Sequence, residues 1–260
     1  MPQASSHAPR IALVTGASSG FGEAIARRLA QAGWKVIAAA RRVDRLETLR
    51  QAFPELIHAL ALDVRDLPAI EKAITSLPAA FRDIDLLVNN AGLALGLEAA
   101  HEASLDDWLR MIETNCLGLV AVTRAVLPGM VERDRGQVIN IGSTAGQYPY
   151  FGGNVYGATK AFVDQFTLNL KTDLLGTAIR VTNIAPGLSG GSEFSQVRFH
   201  GNESKAADVY ADTTPLNPED IADTVEWLVN RPAHVNINHI SMMPVCQAPA
   251  GLKVNKAAKA

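Results

Sequence analysis

The chain has 260 residues, 48% hydrophobic and 19% charged, with 24 Lys and Arg against 26 Asp and Glu for a net charge of −2. That is an ordinary soluble composition with material for a large core, and the absence of a basic stripe argues against a nucleic-acid partner. Two cysteines, Cys116 and Cys246, make no disulfide framework; without a secretory h-region, or an uncharged apolar run of about 18 residues, the expectation is a cytoplasmic protein with no membrane span.

Apolar strands and amphipathic helices alternate along the chain. The pattern predicts strand 11–15, helix 21–32, strand 35–40, helix 44–52, strand 57–62 and helix 67–77. It continues with strand 85–89, helix 104–133, strand 137–143, helix 154–175, strand 178–184, helix 218–230 and strand 237–241. Each strand is almost wholly apolar, as expected where helices cover both faces of a parallel sheet. Repeated βαβ units predict an α/β fold: one Rossmann-type doubly wound domain with a seven-stranded, mostly parallel sheet flanked by helices. Ser104 ahead of Asp106 and Asp107, and Pro218 ahead of Glu219 and Asp220, read as helix starts. Gly176 reads as a helix stop, and Pro128 is expected to bend or interrupt the long 104–133 helix. Residues 1–9 read as a disordered tail, 10–253 as the domain, and the Gly-, Ser- and Asp-rich stretch of about 187–212 as a substrate loop.

Two segments carry chemistry. Directly after the first strand comes Thr15-Gly16-Ala17-Ser18-Ser19-Gly20-Phe21-Gly22, and a helix follows at once. Glycines there permit a sharp turn, a close approach of backbone to a pyrophosphate, and tight packing of helix on sheet. The helix N-terminus offers free N–H groups to phosphate. Alone, such a turn is as often only a turn. The second segment is Tyr156-Gly157-Ala158-Thr159-Lys160, which places a phenol and an amine on one helix face. Ser143 lies thirteen residues before Tyr156, at the carboxyl end of a predicted strand, where open α/β sheets bind ligands. Free tyrosine has a pKa of about 10 and is a poor base, so a neighbouring ammonium is expected to lower it. No H-E-x-x-H spacing or other metal signature occurs, and the glycines around Ser143 are misplaced for a G-x-S-x-G elbow.

Together these residues resemble the short-chain dehydrogenase/reductase family over about residues 10 to 253. The matching features are the glycine turn, Asn89-Asn90-Ala91-Gly92, Asn115, Ser143, Tyr156, Lys160 and Pro186-Gly187. The resemblance implies that Asn115, Ser143, Tyr156 and Lys160 form the catalytic set, with Asn115 holding a water that links Lys160 to solvent. It also implies that Asn90, Asp63, Val64, Pro186, Gly187, Leu188, Ser189 and Ser192 border the coenzyme, together with Gly16, Ser18, Ser19, Gly20, Phe21 and Gly22. Ser192 departs from the usual threonine but keeps its hydroxyl.

The second strand ends at Ala40, where an NAD-specific site would carry an acid, and Arg41 and Arg42 follow. Guanidinium groups suit a 2′-phosphate, so the coenzyme is expected to be NADP. Within the family, Asn89–Gly96, Arg124–Arg133, Ile139–Gly146, Gly152–Val163, Glu193–Phe199 and Pro232–Asn238 are similar to the bacterial NADP-dependent 3-hydroxy acid dehydrogenases. These enzymes oxidise serine, L-allo-threonine and related 3-hydroxy acids. A substrate carboxylate needs a cation, and Arg198 is the candidate, ahead of His200 and Lys205. The resemblance also implies a homotetramer. A carbonyl reductase of other ketones or aldehydes, and an NADP-binding regulator without turnover, are the readings left open.

Overall fold

The computed structural model describes residues 10–249. The expected tail at 1–9 and the chain beyond 249 lie outside these residues. Seven strands form one sheet in the order β3-β2-β1-β4-β5-β6-β7. They are β1 Ile11–Thr15, β2 Lys35–Ala40, β3 Ile57–Ala61, β4 Leu86–Asn89, β5 Gly136–Ile141, β6 Ile179–Pro186 and β7 His239–Met242. Every pairing is parallel, so the "mostly parallel" sheet expected from sequence is wholly so among the described residues.

The apolar strands are explained by their two covered faces. In β1, Ala12 and Val14 point into one core cluster and Ile11 and Leu13 into the other. The first cluster lies under α1 Gly20–Gln31, α2 Val43–Ala52 and α9 Pro218–Val229. The second lies under α3 Leu67–Thr75, α5 Leu119–Glu132 and α6 Asn154–Asp173. Asn217 caps α9 through a reciprocal pair with Asp220, and Ser104 accepts from the Asp107 N–H at the start of α4 Leu105–Ile112.

The long 104–133 helix breaks elsewhere than expected. The chain stays helical through Pro128; the irregularity is a π turn at Glu113–Gly118, between α4 and α5. A π turn inserts a residue and rotates the side chains that follow, and this one buries Asn115 and Cys116. The helical stretch Leu105–Glu132 is long and apolar enough to cross a membrane by length and composition, but its inner face is spent on the second core cluster. Helix α6 ends at Asp173 with Leu174 as cap; Gly176, at φ +91°, lies two residues beyond it. The stretch after β6 is less a loop than two short helices, α7 Phe194–Arg198 and α8 Glu203–Asp208.

The strand order reverses on either side of β1 and β4, so their carboxyl ends diverge and leave a crevice. A cavity of about 740 Å³ occupies it, roofed by the α7 segment.

Candidate active site

The cavity is lined by the expected site residues except Gly22 and Asn115, which sit directly behind its wall. A Cβ on Gly22 would lie 2.3 Å from the Gly16 carbonyl oxygen, so no larger residue fits. Gly16, at φ +68°, makes the turn out of β1. Asn90 donates from Nδ2 to the Thr15 carbonyl at 2.9 Å, tying β4 to this turn. Asn89 donates to Asn140 at 2.9 Å and Asn140 to Thr167 at 2.9 Å, a buried polar rung from β4 through β5 to α6.

Helix α1 has no side-chain cap, because the hydroxyl of its N-cap Ser19 instead accepts from Arg42 Nη2 at 2.8 Å. The first-turn N–H groups of a twelve-residue helix therefore face the cavity, as a pyrophosphate requires. Arg42 also donates from Nε to Ser18 at 3.3 Å. Arg41 is exposed at the cavity edge. Asp63 is already engaged: Arg65 holds its carboxylate at 2.6 Å, and that hydrogen bond keeps Asp63 below the usual carboxylate range. Val64 packs against Gly118 of the π turn. At the other wall, Gly187 donates to Met242 at 2.8 Å and Ser189 to the Gly187 carbonyl at 3.0 Å. Ser192 faces Gly20, whose added Cβ would meet the Ser192 Cβ at 2.8 Å. These features fit a dinucleotide: an uncapped helix start, a glycine cradle and two guanidinium groups where an adenosine 2′-phosphate would lie.

The residues expected to be catalytic converge at the inner end. Tyr156 is buried beside Leu95, Met111 and the Phe194 ring, whose centroid is 5.9 Å from its own. Ser143 accepts from the Ala145 N–H at 3.1 Å and donates to the Pro186 carbonyl at 3.4 Å. Lys160 is buried with its Nζ donating to the Ile141 carbonyl at 2.9 Å and 5.8 Å from the Tyr156 ring centroid.

The direction of the Tyr156 pKa differs from the sequence expectation. Burial pushes it up to about 12, although the nearby Ser143 hydroxyl and the charge of Arg198 both favour ionisation. Desolvation of the phenolate outweighs the available cations. Lys160 moves the other way, down to about 8, again chiefly through burial.

Asn115 accepts from the Leu93 N–H at 2.9 Å and donates to the Leu93 carbonyl at 2.8 Å and to Thr159 at 3.0 Å. It fastens the chain after β4 to α6, next to Tyr156 and Lys160. A Cβ on Gly92 would stand 3.2 Å from the Asn115 Oδ1 and 3.5 Å from the Lys160 Nζ, so that glycine lets the two approach.

Arg198 reaches the same end. Its guanidinium lies 5.5 Å from the ring centroids of both Tyr150 and Tyr156, and it donates to the Tyr150 hydroxyl and to the Gly96 carbonyl. His200 instead contacts Asp107 at 3.0 Å, and neither it nor Lys205 lines the cavity. Helix α7 ends at Arg198, so His200 lies beyond it and Lys205 lies on α8, and both are exposed.

Three contacts gave no sequence signal. Gln247 accepts from the Leu188 N–H at 2.6 Å, Tyr150 binds Arg198, and Glu193 binds Arg42.

A family model for short chain dehydrogenases matches residues 10–201. The chain belongs to the short-chain dehydrogenase family. Among relatives in that family, an NADP-dependent 3-hydroxy acid dehydrogenase of Salmonella typhi is 63% identical over 246 residues, covering 95% of this chain and 99% of the relative. A serine 3-dehydrogenase of Agrobacterium fabrum is 48% identical over 242 residues, covering 93% and 96%. The solved closed form of a serine dehydrogenase complexed with NADP+ superposes with a TM-score of 0.94 at 60% identity, covering 95% of this chain and all of that one. That solved structure shares the fold described above over 95% of this chain.

Proposed function

We propose that this short-chain dehydrogenase uses NADP to interconvert small 3-hydroxy acids, of the serine, L-allo-threonine and 3-hydroxypropionate type, with their carbonyl forms. The observation that carries the reading is the convergence of Ser143, Tyr156 and Lys160 with Arg198 at one end of a cavity whose other end holds Arg41 and Arg42. Likeness to the relatives named above supports the same choice of coenzyme and substrate. When bound, the coenzyme supplies the acceptor or donor of the hydride. Ser143 and Tyr156 hold the substrate oxygen, and Tyr156 takes up or returns its proton. Lys160 keeps a positive charge at neutral pH, because its pKa of about 8 is still above 7. Asn115 is a positioning residue that fixes this helix face.

Arg198 is assigned to the substrate carboxylate. Arg198→Ala is expected to raise KM for serine or 3-hydroxypropionate about 10- to 150-fold, the loss of roughly 1.5–3 kcal/mol from a hydrogen bond between charged groups. An alcohol of the same size without a carboxylate should show little change. Equal effects on both substrates would remove Arg198 from this role.

Arg41 and Arg42 are assigned to the 2′-phosphate. Arg41→Ala is expected to weaken NADP by about 1.5–3 kcal/mol with NAD little affected. Titration calorimetry with both coenzymes checks it, and indifference of the native protein to the 2′-phosphate would overturn it.

The domain is read as extending to residue 253 in a cytoplasmic homotetramer. Exposed apolar side chains along α4–α5 and α6 support assembly: Leu105, Leu109, Leu117, Phe162 and Leu168 are 42–64% exposed. Light scattering should give four times the chain mass of 27.7 kDa.

A further inference from the structure

Tyr150 lines the cavity at its substrate end, yet neither the coenzyme site nor the transfer of hydride and proton uses it. It stands in the segment between β5 and α6, and two glycines fix its place there. The Tyr150 carbonyl accepts from the Gly153 N–H at 3.0 Å, and the ring lies so close that a Cβ on Gly153 would stand 2.7 Å from its Cε1. Gly152, at φ +74°, turns the chain against the Leu97 carbonyl, 2.2 Å from an added Cβ. The ring is thereby held between the start of α6 and the chain at residues 96–97. Its hydroxyl accepts from Arg198 Nη2, while Arg198 Nε donates to the Gly96 carbonyl at 3.3 Å. The guanidinium carbon is 5.5 Å from the centroids of both Tyr150 and Tyr156, so it sits between the two phenols. Among the described residues, Arg198 Nη1 has no partner and nothing accepts the Tyr150 proton. A cationic donor and a neutral one are left unspent side by side.

We propose that the Tyr150 hydroxyl donates to the substrate carboxylate beside Arg198, giving each carboxylate oxygen a donor of its own. This rests on the assignment of Arg198 to that carboxylate. A hydroxyl suits the place because it accepts from Arg198 and donates onward, and the charge behind it polarises the O–H and strengthens the second bond. It also adds no second cation next to Tyr156. A guanidinium alone draws in an anion without fixing its position closely; a donor pinned by the glycine turn does fix it. One carbon separates the carboxyl carbon of a 3-hydroxy acid from its carbinol carbon. Such a molecule therefore spans from one phenol to the other, with Tyr156 at its hydroxyl and Tyr150 at its carboxylate, across the guanidinium that both rings contact.

The test compares oxidation of 3-hydroxypropionate and of 1,3-propanediol, which carries a hydroxymethyl group in place of the carboxylate, at saturating NADP. The native protein, Tyr150→Phe, Arg198→Ala and the double variant are measured, and the ratio of kcat/KM for acid over diol is the readout. Tyr150→Phe keeps the ring and its packing on Gly153 and removes only the donor. It is expected to lower the ratio about ten-fold, the lower end for a hydrogen bond to a charged group, with the change in KM rather than kcat. In the Arg198→Ala background the same substitution should lower the ratio again, by about three-fold or more, because a direct contact outlasts the loss of Arg198. A tyrosine that merely anchors Arg198 has nothing left to do in that background. A ratio unchanged by Tyr150→Phe, or no further fall in the double variant, overturns the contact and leaves the role of Arg198 standing. A ratio unmoved by Arg198→Ala removes the carboxylate assignment itself, and Tyr150 with it.

Discussion

Tyr156→Phe is expected to lower kcat by about 10²–10⁴-fold, the span attributable to one positioned acid–base group. The phenyl ring fills the same space among Leu95, Met111 and Phe194, so stability and coenzyme affinity should hold. Loss of kcat with an unchanged dissociation constant for NADP separates a catalytic tyrosine from a structural one. The direction of its pKa adds a second signature. At about 12, the phenol is protonated at neutral pH and stands ready to give a proton to a reduced carbonyl oxygen. Oxidation needs the phenolate, whose fraction grows about tenfold for each pH unit below the pKa. Between roughly pH 6 and 8, the rate of 3-hydroxy acid oxidation should therefore climb with pH while carbonyl reduction stays level. Stopped-flow single turnovers in both directions would show this, and an oxidation rate flat over that interval would contradict the assignment of Tyr156 as proton acceptor.

The parts of the molecule legible in the sequence are those fixed by short-range pattern. Ile11-Ala12-Leu13-Val14 announces a strand covered on both faces because a parallel sheet buries both sets of side chains, and the structure divides these residues between two cores. The glycine turn is legible because only a residue without a Cβ fits against the Gly16 carbonyl. Tyr156 and Lys160 are legible because four residues make about one helical turn. What could not be read depends on contacts distant in the chain. The rise in the Tyr156 pKa comes from residues 93–111 and 194 closing around the ring, and no spacing near Tyr156 encodes that. The π turn at Glu113–Gly118 has no composition of its own, whereas Pro128, which drew attention, leaves the helix intact. Glu193 and Arg42 are 151 residues apart, and in sequence each is only a charged residue near a helix start.

Lys160→Met should abolish most activity and yet make the protein more stable. The Lys160 ammonium belongs to the proposed catalytic set, and loss of one preorganised charge costs about 10²–10³ in kcat. Its burial is a cost to the fold. A pKa moved from 10.5 to about 8 means that keeping the folded lysine charged at pH 7 costs about 3 kcal/mol relative to the unfolded chain. Methionine removes that cost and, with one hydrogen bond to the Ile141 carbonyl forgone, leaves a net gain of about 1–2 kcal/mol. A gain of that size raises Tm by about 2–8 °C for a domain of this length. The pH dependence fixes the cause. Between about pH 8 and 10.5 the unfolded lysine holds a proton that the folded one has released, so native stability rises with pH through that window, and the advantage of Lys160→Met shrinks by the same amount. Denaturant titrations at pH 7 and pH 10 measure both. A variant less stable than the native protein at pH 7, or an advantage that does not narrow by pH 10, would show that Lys160 is not held against a desolvation penalty in this site.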